Sequence, residues 1–202
     1  MEYQNAKIFF LKKKVIFPFC TMPVTVNTSD FIRGIKTGEK MLAYPVRSFI
    51  DIFFYRNRLA TLTEILEISG GEKSFKLQIK GLARGRLRRI HKNHHADFEI
   101  INEAVSEAVS DSHDFLKDEI RRKSQELIFL INSEESDRLI SLLNFLNNLN
   151  QMTDFIANYF IMNARDRFSL FNTLDIVKRG EKLVAILNRH IQDINKKRKA
   201  GS

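Results

Sequence analysis

The sequence is poor in the residues that mark special environments: one cysteine, Cys20, and no tryptophan in 202 residues. A single thiol makes no internal disulfide, which excludes the cysteine frameworks of small secreted domains. The longest apolar runs reach about six residues against the roughly 20 that a membrane-crossing helix needs, and no stretch resembles a signal peptide. The expected setting is therefore the cytoplasm. Catalytic signatures are equally scarce. A phosphate-binding loop needs G-x-x-x-x-G-K-[ST], so that backbone amides cradle phosphate while the Lys and hydroxyl hold the terminal phosphate and metal. The nearest stretch, Gly34 to Met41, has the wrong spacing and ends without a hydroxyl. Cys20 has no conspicuous base beside it, and Ser124 and other helix hydroxyls show no catalytic arrangement. His91, His94 and His95, with Asp97 nearby, make the one metal-like group, but they fall in a polar turn, which favours solvated side chains over a shared ion. No catalytic residue, metal or cofactor is expected in this chain.

What is present is a large apolar content and an uneven charge. Hydrophobic residues make up 44% of the chain, 17 of them Phe, enough to bury a core in one elongated domain or two small ones. The formal net charge of +9 lies in the first half. Residues 1–102 carry 18 Lys+Arg against 9 Asp+Glu, whereas residues 103–202 carry 15 of each. A basic first half can meet nucleic acid, an acidic protein surface or acidic polypeptide, or can be a solvated surface.

Arg58 to Ile90 states its structure most plainly. Ser69-Gly70-Gly71 divides two strand-like runs, and glycine supplies the positive φ that tight hairpins need. Beyond it Phe75, Leu77 and Ile79 alternate with Ser74, Lys76, Gln78 and Lys80, the period of a strand with one wet face. Gly81 is expected to break the run, and a further strand then places Arg84, Arg86 and Arg88 on one basic face. Earlier, Ile8–Leu11 and Val15–Phe17 read as short strands around Lys12-Lys13-Lys14, and Met22, Val24 and Val26 mark another. Thr28, Ser29 or Asp30 is expected to cap a helix over 31–43, which Tyr44-Pro45 closes. Ser48–Tyr55, apolar on both faces, reads as a strand buried on both sides. Phe98–Ile101 supplies the last strand. Six or seven strands and one helix in residues 1–102 predict a small, partly closed β-barrel.

Residues 103–202 have helical periodicity. Val109, Leu116, Ile120, Leu127 and Ile131 step by seven and four, with a start or kink near Ser110 to Ser112. Ser133, Glu134 and Glu135 suit a helix N-terminus, and the helix after them is expected to bury Leu139, Leu142, Leu143, Leu146 and Leu149. Met152, Phe155, Ile156, Tyr159 and Phe160 form a third stripe, and Phe168 with Phe171 a short fourth. Thr173 is expected to cap a final helix with a seam of Ile176, Gly180, Leu183, Leu187, Ile191 and Ile194. Lys196 to Lys199 form its basic end. The fold class is α+β, a β-barrel followed by a helical bundle that ends in a long helix.

The order of these pieces resembles the Lon N-terminal domain family. FLKKKVIFPFCTMPVTV is similar to the family's opening strand, Phe-Pro and second strand. SFIDIFFY takes the place of its next apolar strand, and LATLTEILEISGGEKSFKLQIKGLARGRLRRI that of its long hairpin. Asn158 to Leu187 resembles its helical section, down to the Val-Lys-Arg at the start of the long helix. Two departures stand out. Lys12-Lys13-Lys14 replaces an Arg-Asp, which removes any salt bridge that acid makes, and Gly180 replaces a leucine-like residue at a cost of about 1 kcal/mol relative to alanine in a helix. The resemblance implies a PUA-like pseudo-barrel over residues 1–102 and a helical bundle over 103–202. It further implies a place at the front of an ATP-dependent serine protease whose ATPase and peptidase modules lie elsewhere in the same polypeptide. ATP and Mg²⁺ would belong to those modules, and the parent would be a homo-oligomer, a hexamer.

The function expected from this resemblance is capture of unfolded, damaged or tagged proteins, with the helical half helping oligomer assembly. Denatured chains display the apolar groups that native ones bury, so an exposed apolar patch would bind them. The candidate contacts are Phe17, Phe19 and Met22 around the Pro18 and Pro23 turns, and Phe53, Phe54 and Tyr55. An alternative is an RNA-binding module using Lys76, Lys80, Arg84, Arg86 and Arg88, with Arg89 close by; its binding would fall steeply with salt. A second alternative is a free-standing adaptor.

Overall fold

The computed structural model describes residues 2–27, 34–55, 58–70, 74–101, 110–131 and 136–200. The chain divides into two compact units, Met1–Asn102 and Glu103–Ser202.

The first unit is a strongly curved six-stranded sheet: β1 (Glu2–Lys12), β2 (Thr21–Asn27), β3 (Lys40–Val46), β4 (Leu59–Gly70), β5 (Ser74–His91) and β6 (His95–Ile100), with helix α1 (Phe49–Phe54) between β3 and β4. The strand order is β2-β5-β4-β3-β1-β6, and β6 also pairs with β5, which closes five strands into a ring. Only β1 and β3 run parallel, Ile8 opposite Leu42. β5 can serve two neighbours because it is long: its first half pairs with β2, from Ser74 to Lys80, and its second half with β6, from Gly85 to His91. Inside the ring Ile8, Leu42, Tyr44, Ala60, Leu62, Leu87 and Phe98 are buried together. A second core on the other face of β1 and β3 joins Phe9, Leu11, Met41 and Ala43 to Ile65, Leu77, Ile79 and Val24.

That double burial explains where the strand and helix expectations exchange places. After the exposed Lys40, MLAYPV is buried throughout because β3 has a core on each face. It is a strand, so the expected helix over 31–43 does not extend through Lys40–Ala43; residues 31–33 and the proposed caps lie outside the described residues. Ser48–Tyr55 is α1 instead of a two-sided strand. The Asp51 carboxylate accepts the backbone N–H of Arg47 and of Ser48 at 2.9 and 3.1 Å, which satisfies amides that a helix start leaves free. Val15–Phe17 is buried but joins no strand. Gly81 does not interrupt β5. A Cβ there would lie 2.2 Å from the Phe17 carbonyl oxygen, so the glycine admits a neighbouring backbone rather than a turn.

The second unit contains α2 (Ser110–Ile131), α3 (Ser136–Phe145), α4 (Leu149–Tyr159), α5 (Ala164–Asn172) and α6 (Ile176–Ala200). Val109 and the expected start at Ser133 to Glu135 lie outside the described residues. Leu143 is buried, but Ile131, Leu142 and Tyr159 are exposed, and Leu149 opens α4 rather than closing α3. Asn148 caps α4 and Asn163 caps α5, each side chain accepting two backbone N–H groups. At α6 the cap is Asp175, whose carboxylate accepts the Lys178 N–H at 2.9 Å; Thr173 ends α5 instead. Gly180 lies in the α6 seam, where a Cβ would meet Leu116 Cδ2 of α2 at 2.7 Å. Close helix contact therefore accounts for it. No helix among the described residues is long and apolar enough to cross a membrane.

Candidate functional site

The candidate contact residues separate by burial. Phe17 is fully buried with the Arg84 guanidinium 6.0 Å from its ring centroid, and Tyr55 is buried beside Tyr44 and Phe10, so both belong to the core. Burial also raises the Tyr55 pKa, since phenolate loses more than phenol on leaving water. Met22 is half-buried against the second core. The other three stand in solvent: Phe19 is 53% exposed, Phe53 64% and Phe54 71%.

Local backbone explains how the exposed rings are held. Phe17 to Cys20 is a tight turn with the Cys20 N–H donating to the Phe17 carbonyl, Pro18 at the second position and Phe19 at the third with φ +63°. That third position favours glycine. A phenylalanine there costs on the order of 1 kcal/mol, and the Phe19 N–H fixes it by donating to the Gly81 carbonyl at 2.9 Å. In α1, Ile52 packs on the ring core while Ile50, Phe53 and Phe54 face water. Ile50 is an addition to the candidates. A strand reading of 48–55 conceals the three-and-four spacing that Ile50 shares with Phe53 and Phe54, although Ser48 and Asp51 spell a helix start.

The basic face is not continuous. Arg84 is 2% exposed although it keeps register with Arg86, the two standing opposite Thr61 and Leu59 of β4. The buried Val15–Phe17 segment covers its face, the Phe17 ring lying over its guanidinium and the Ile16 carbonyl accepting from the Thr61 hydroxyl. Arg88 pairs with Glu99. Lys76, Lys80, Arg86 and Arg89 are exposed.

The histidines have separate partners. His91 and Asp97 are 2.9 Å apart, His95 contacts the Asn93 carbonyl at 2.9 Å, and His94 lies 3.3 Å from the Tyr55 hydroxyl. Among the described residues no three metal-ligating side chains converge. A feature that sequence reasoning missed is a cleft of about 280 Å³ between β1 and β2, with Phe9, Phe10, Val24, Thr25 and Val26 on its walls and His94 at its margin. Sequence carries no signal for it, because it depends on which strand edges are left unpaired.

Comparison with known proteins places this geometry. The family model of the ATP-dependent protease La (LON) substrate-binding domain matches residues 5–189. A Lon protease of Buchnera aphidicola subsp. Baizongia pistaciae (strain Bp) is 22% identical over 200 residues, covering 94% of this chain and 25% of that protein. The chain thus spans a quarter of the length of that curated relative. Among solved structures, the N-terminal domain of Mycobacterium avium complex Lon protease superposes with a TM-score of 0.67 at 17% identity, covering 93% of this chain and all of that one. A Lon N-terminal domain protein from Xanthomonas campestris gives 0.59 at 17% identity, covering 91% and 98%. These two likenesses establish a shared fold: a mixed sheet followed by helices.

Proposed function

Because the chain belongs to the Lon substrate-binding domain family, we propose that its β unit captures unfolded or tagged polypeptide for a Lon-type ATP-dependent protease. The observation that carries this reading is Phe19, a large apolar side chain kept in water at a backbone conformation that disfavours it. A residue held at such a cost, in a turn over-determined by neighbouring hydrogen bonds, points to a role outside folding. Phe53 and Phe54, exposed on α1, extend the apolar surface that a denatured chain can use.

In this reading the ATPase and peptidase modules, with their ATP and Mg²⁺, belong to the same polypeptide outside this chain. The chain itself holds substrate and performs no catalysis. The parent is a homo-oligomeric protease of the cytoplasm, a hexamer, and exposed apolar groups of the helical unit such as Phe115, Phe129 and Phe145 are available to assembly. The geometry leaves the RNA alternative only part of its basic face, Lys76, Lys80 and Arg86. Of its five residues Arg84 is buried and Arg88 is engaged with Glu99.

The test pairs binding with stability. Phe19→Gly relieves the turn and is expected to stabilise the chain by about 1 kcal/mol, while its affinity for a permanently unfolded protein falls several-fold. Phe53→Ser with Phe54→Ser is expected to weaken binding without lowering the unfolding midpoint. Unchanged affinity in both variants, or wild-type binding no stronger to unfolded than to native protein, would overturn the reading. Salt-sensitive binding of an RNA oligonucleotide, tighter than that of unfolded protein and lost on replacing Lys76, Lys80 and Arg86, would instead favour nucleic acid.

A further inference from the structure

The sheet is closed on one side of the β unit and open on the other. β1 meets β6 from Glu2 to Lys7, but from Ile8 onward its ladder is with β3. β2 pairs with β5 along its whole length and, among the described residues, has no strand on its other edge. The cleft lies between these two edges.

Strand alternation decides which backbone groups face it. The Ile8 N–H donates to the His94 carbonyl at 2.7 Å, on the side away from β3. Alternation turns the N–H and C=O of Phe10 and Lys12 the same way, beyond the end of the β5–β6 hairpin. On β2, the Gly81 N–H donates to the Cys20 carbonyl at 2.8 Å, so the ladder to β5 runs through the even-numbered residues. The backbone groups of Pro23 and Thr25 then face outward. Pro23 independently supports this register: it has no N–H to donate, and it occupies an outward position where no ladder bond is lost.

We propose that the cleft takes one extended polypeptide segment as an added strand between β1 and β2. The inference rests on the substrate-binding reading and names the form in which substrate is held. Two facing edges require donors and acceptors on both sides of the occupant at strand spacing. An extended backbone offers them, whereas a helix consumes its own and a nucleic acid lacks the pattern. Phe9, Val24 and Val26 favour an apolar side chain at every second position of the segment. Exposed Lys12 on one edge, with exposed Lys76 and Lys80 opposite Thr25 and Thr21, favours acidic residues at its ends. Folded proteins rarely expose such a segment; unfolded ones do, which gives selectivity for unfolded protein without a fixed sequence.

The experiment measures binding of a short labelled peptide of alternating valine and threonine with glutamate at each end, beside the same peptide N-methylated at alternate backbone amides. N-methylation keeps the side chains and removes donors. We expect about tenfold weaker binding of the methylated peptide, and a similar loss for the unmodified peptide in Thr25→Pro, whose thermal midpoint should stay at the wild-type value. Peptide should also slow hydrogen exchange of the Phe10 and Lys12 amides. If methylated and unmodified peptides bind equally, and Thr25→Pro retains unfolded-protein binding that Phe19→Gly loses, the strand-addition inference falls and the substrate-binding reading stands. If wild type binds neither peptide nor unfolded protein, both fall. Should Thr25→Pro fail to fold, the methylation comparison and amide exchange on the wild type decide.

Discussion

The two units meet the same requirement, satisfied backbone groups, by opposite means. In the β unit ladders satisfy most of the backbone, and buried polar side chains supply what the ladders miss. The Thr61 and Thr63 hydroxyls donate to the Ile16 and Met41 carbonyls at 2.8 and 2.9 Å. What a sheet leaves over is an edge. In the helical unit each helix satisfies its middle and leaves its ends, so charge is drawn inward to reach them. Arg179 is fully buried, donates to the Thr173 carbonyl at the end of α5 at 2.9 Å and to the Asn150 side chain, and lies 3.6 Å from the buried Asp154 carboxylate. The unit that carries the net positive charge keeps most of it in solvent, and the neutral unit takes charge into its core. A sheet edge can be left open for a ligand, whereas an unsatisfied buried helix end only destabilises.

The sharpest way to break this contrast is at Arg179. Replacing it by Met leaves Asp154 buried without its counter-charge and the Thr173 carbonyl without its donor, and should cost about 3–5 kcal/mol in denaturant unfolding of the chain. Adding Asp154→Leu should recover much of that loss, since a buried pair replaced by apolar groups is often neutral.

Two of the close-approach glycines, Gly81 and Gly180, give a smaller and more instructive comparison. Gly81→Ala drives a methyl into the Phe17 backbone, which cannot swing aside, and should cost about 1–3 kcal/mol. Gly180→Ala meets the tip of the Leu116 side chain, which can rotate, and gains helix propensity of about 1 kcal/mol, so its net effect should stay within about 1 kcal/mol. Equal destabilisation by both would show that Leu116 is as fixed as a backbone.

The smallest effect is expected in the β unit with acid. Asp97 has its pKa lowered first by the Asn5 N–H at 3.0 Å, then by hydrogen bonding with His91. A depressed folded value means its stabilisation is fully present above the ordinary aspartate value of 3.8 and is lost as pH falls through the lower folded value. Asp97→Asn should lower the thermal midpoint slightly near neutral pH, and the two curves should converge in strong acid. A constant difference across the pH range would exclude the carboxylate as its source.

Much of the secondary structure is legible in the sequence because local rules and tertiary context agree. The β4–β5 hairpin at Ser69-Gly70, β2, the last strand and the seam of α6 follow from turn chemistry and period alone. The errors cluster where packing contradicts local pattern. β3 reads as helical because two cores erase the alternation that identifies a strand, and α1 reads as a buried strand because its apolar face points to water. Arg84 reads as solvent-facing because no local pattern shows that Val15–Phe17, distant in sequence, covers its face. Of the candidate contacts, pattern names the aromatics but does not separate buried Phe17 and Tyr55 from exposed Phe19, Phe53 and Phe54.

The sequence by itself determined the kind of molecule: a basic strand-rich half followed by a charge-neutral helical half, with the order of pieces that marks the Lon substrate-binding domains. Local propensity, turn residues and hydrophobic period act over a few neighbours, and one chain records them directly. Only the tertiary structure decided that β5 would serve β2 with one half and β6 with the other, leaving the edges of β1 and β2 facing across a cleft. Pairing between strands distant in sequence is set by which whole arrangement buries the most apolar surface with its backbone satisfied, and no short segment contains that information.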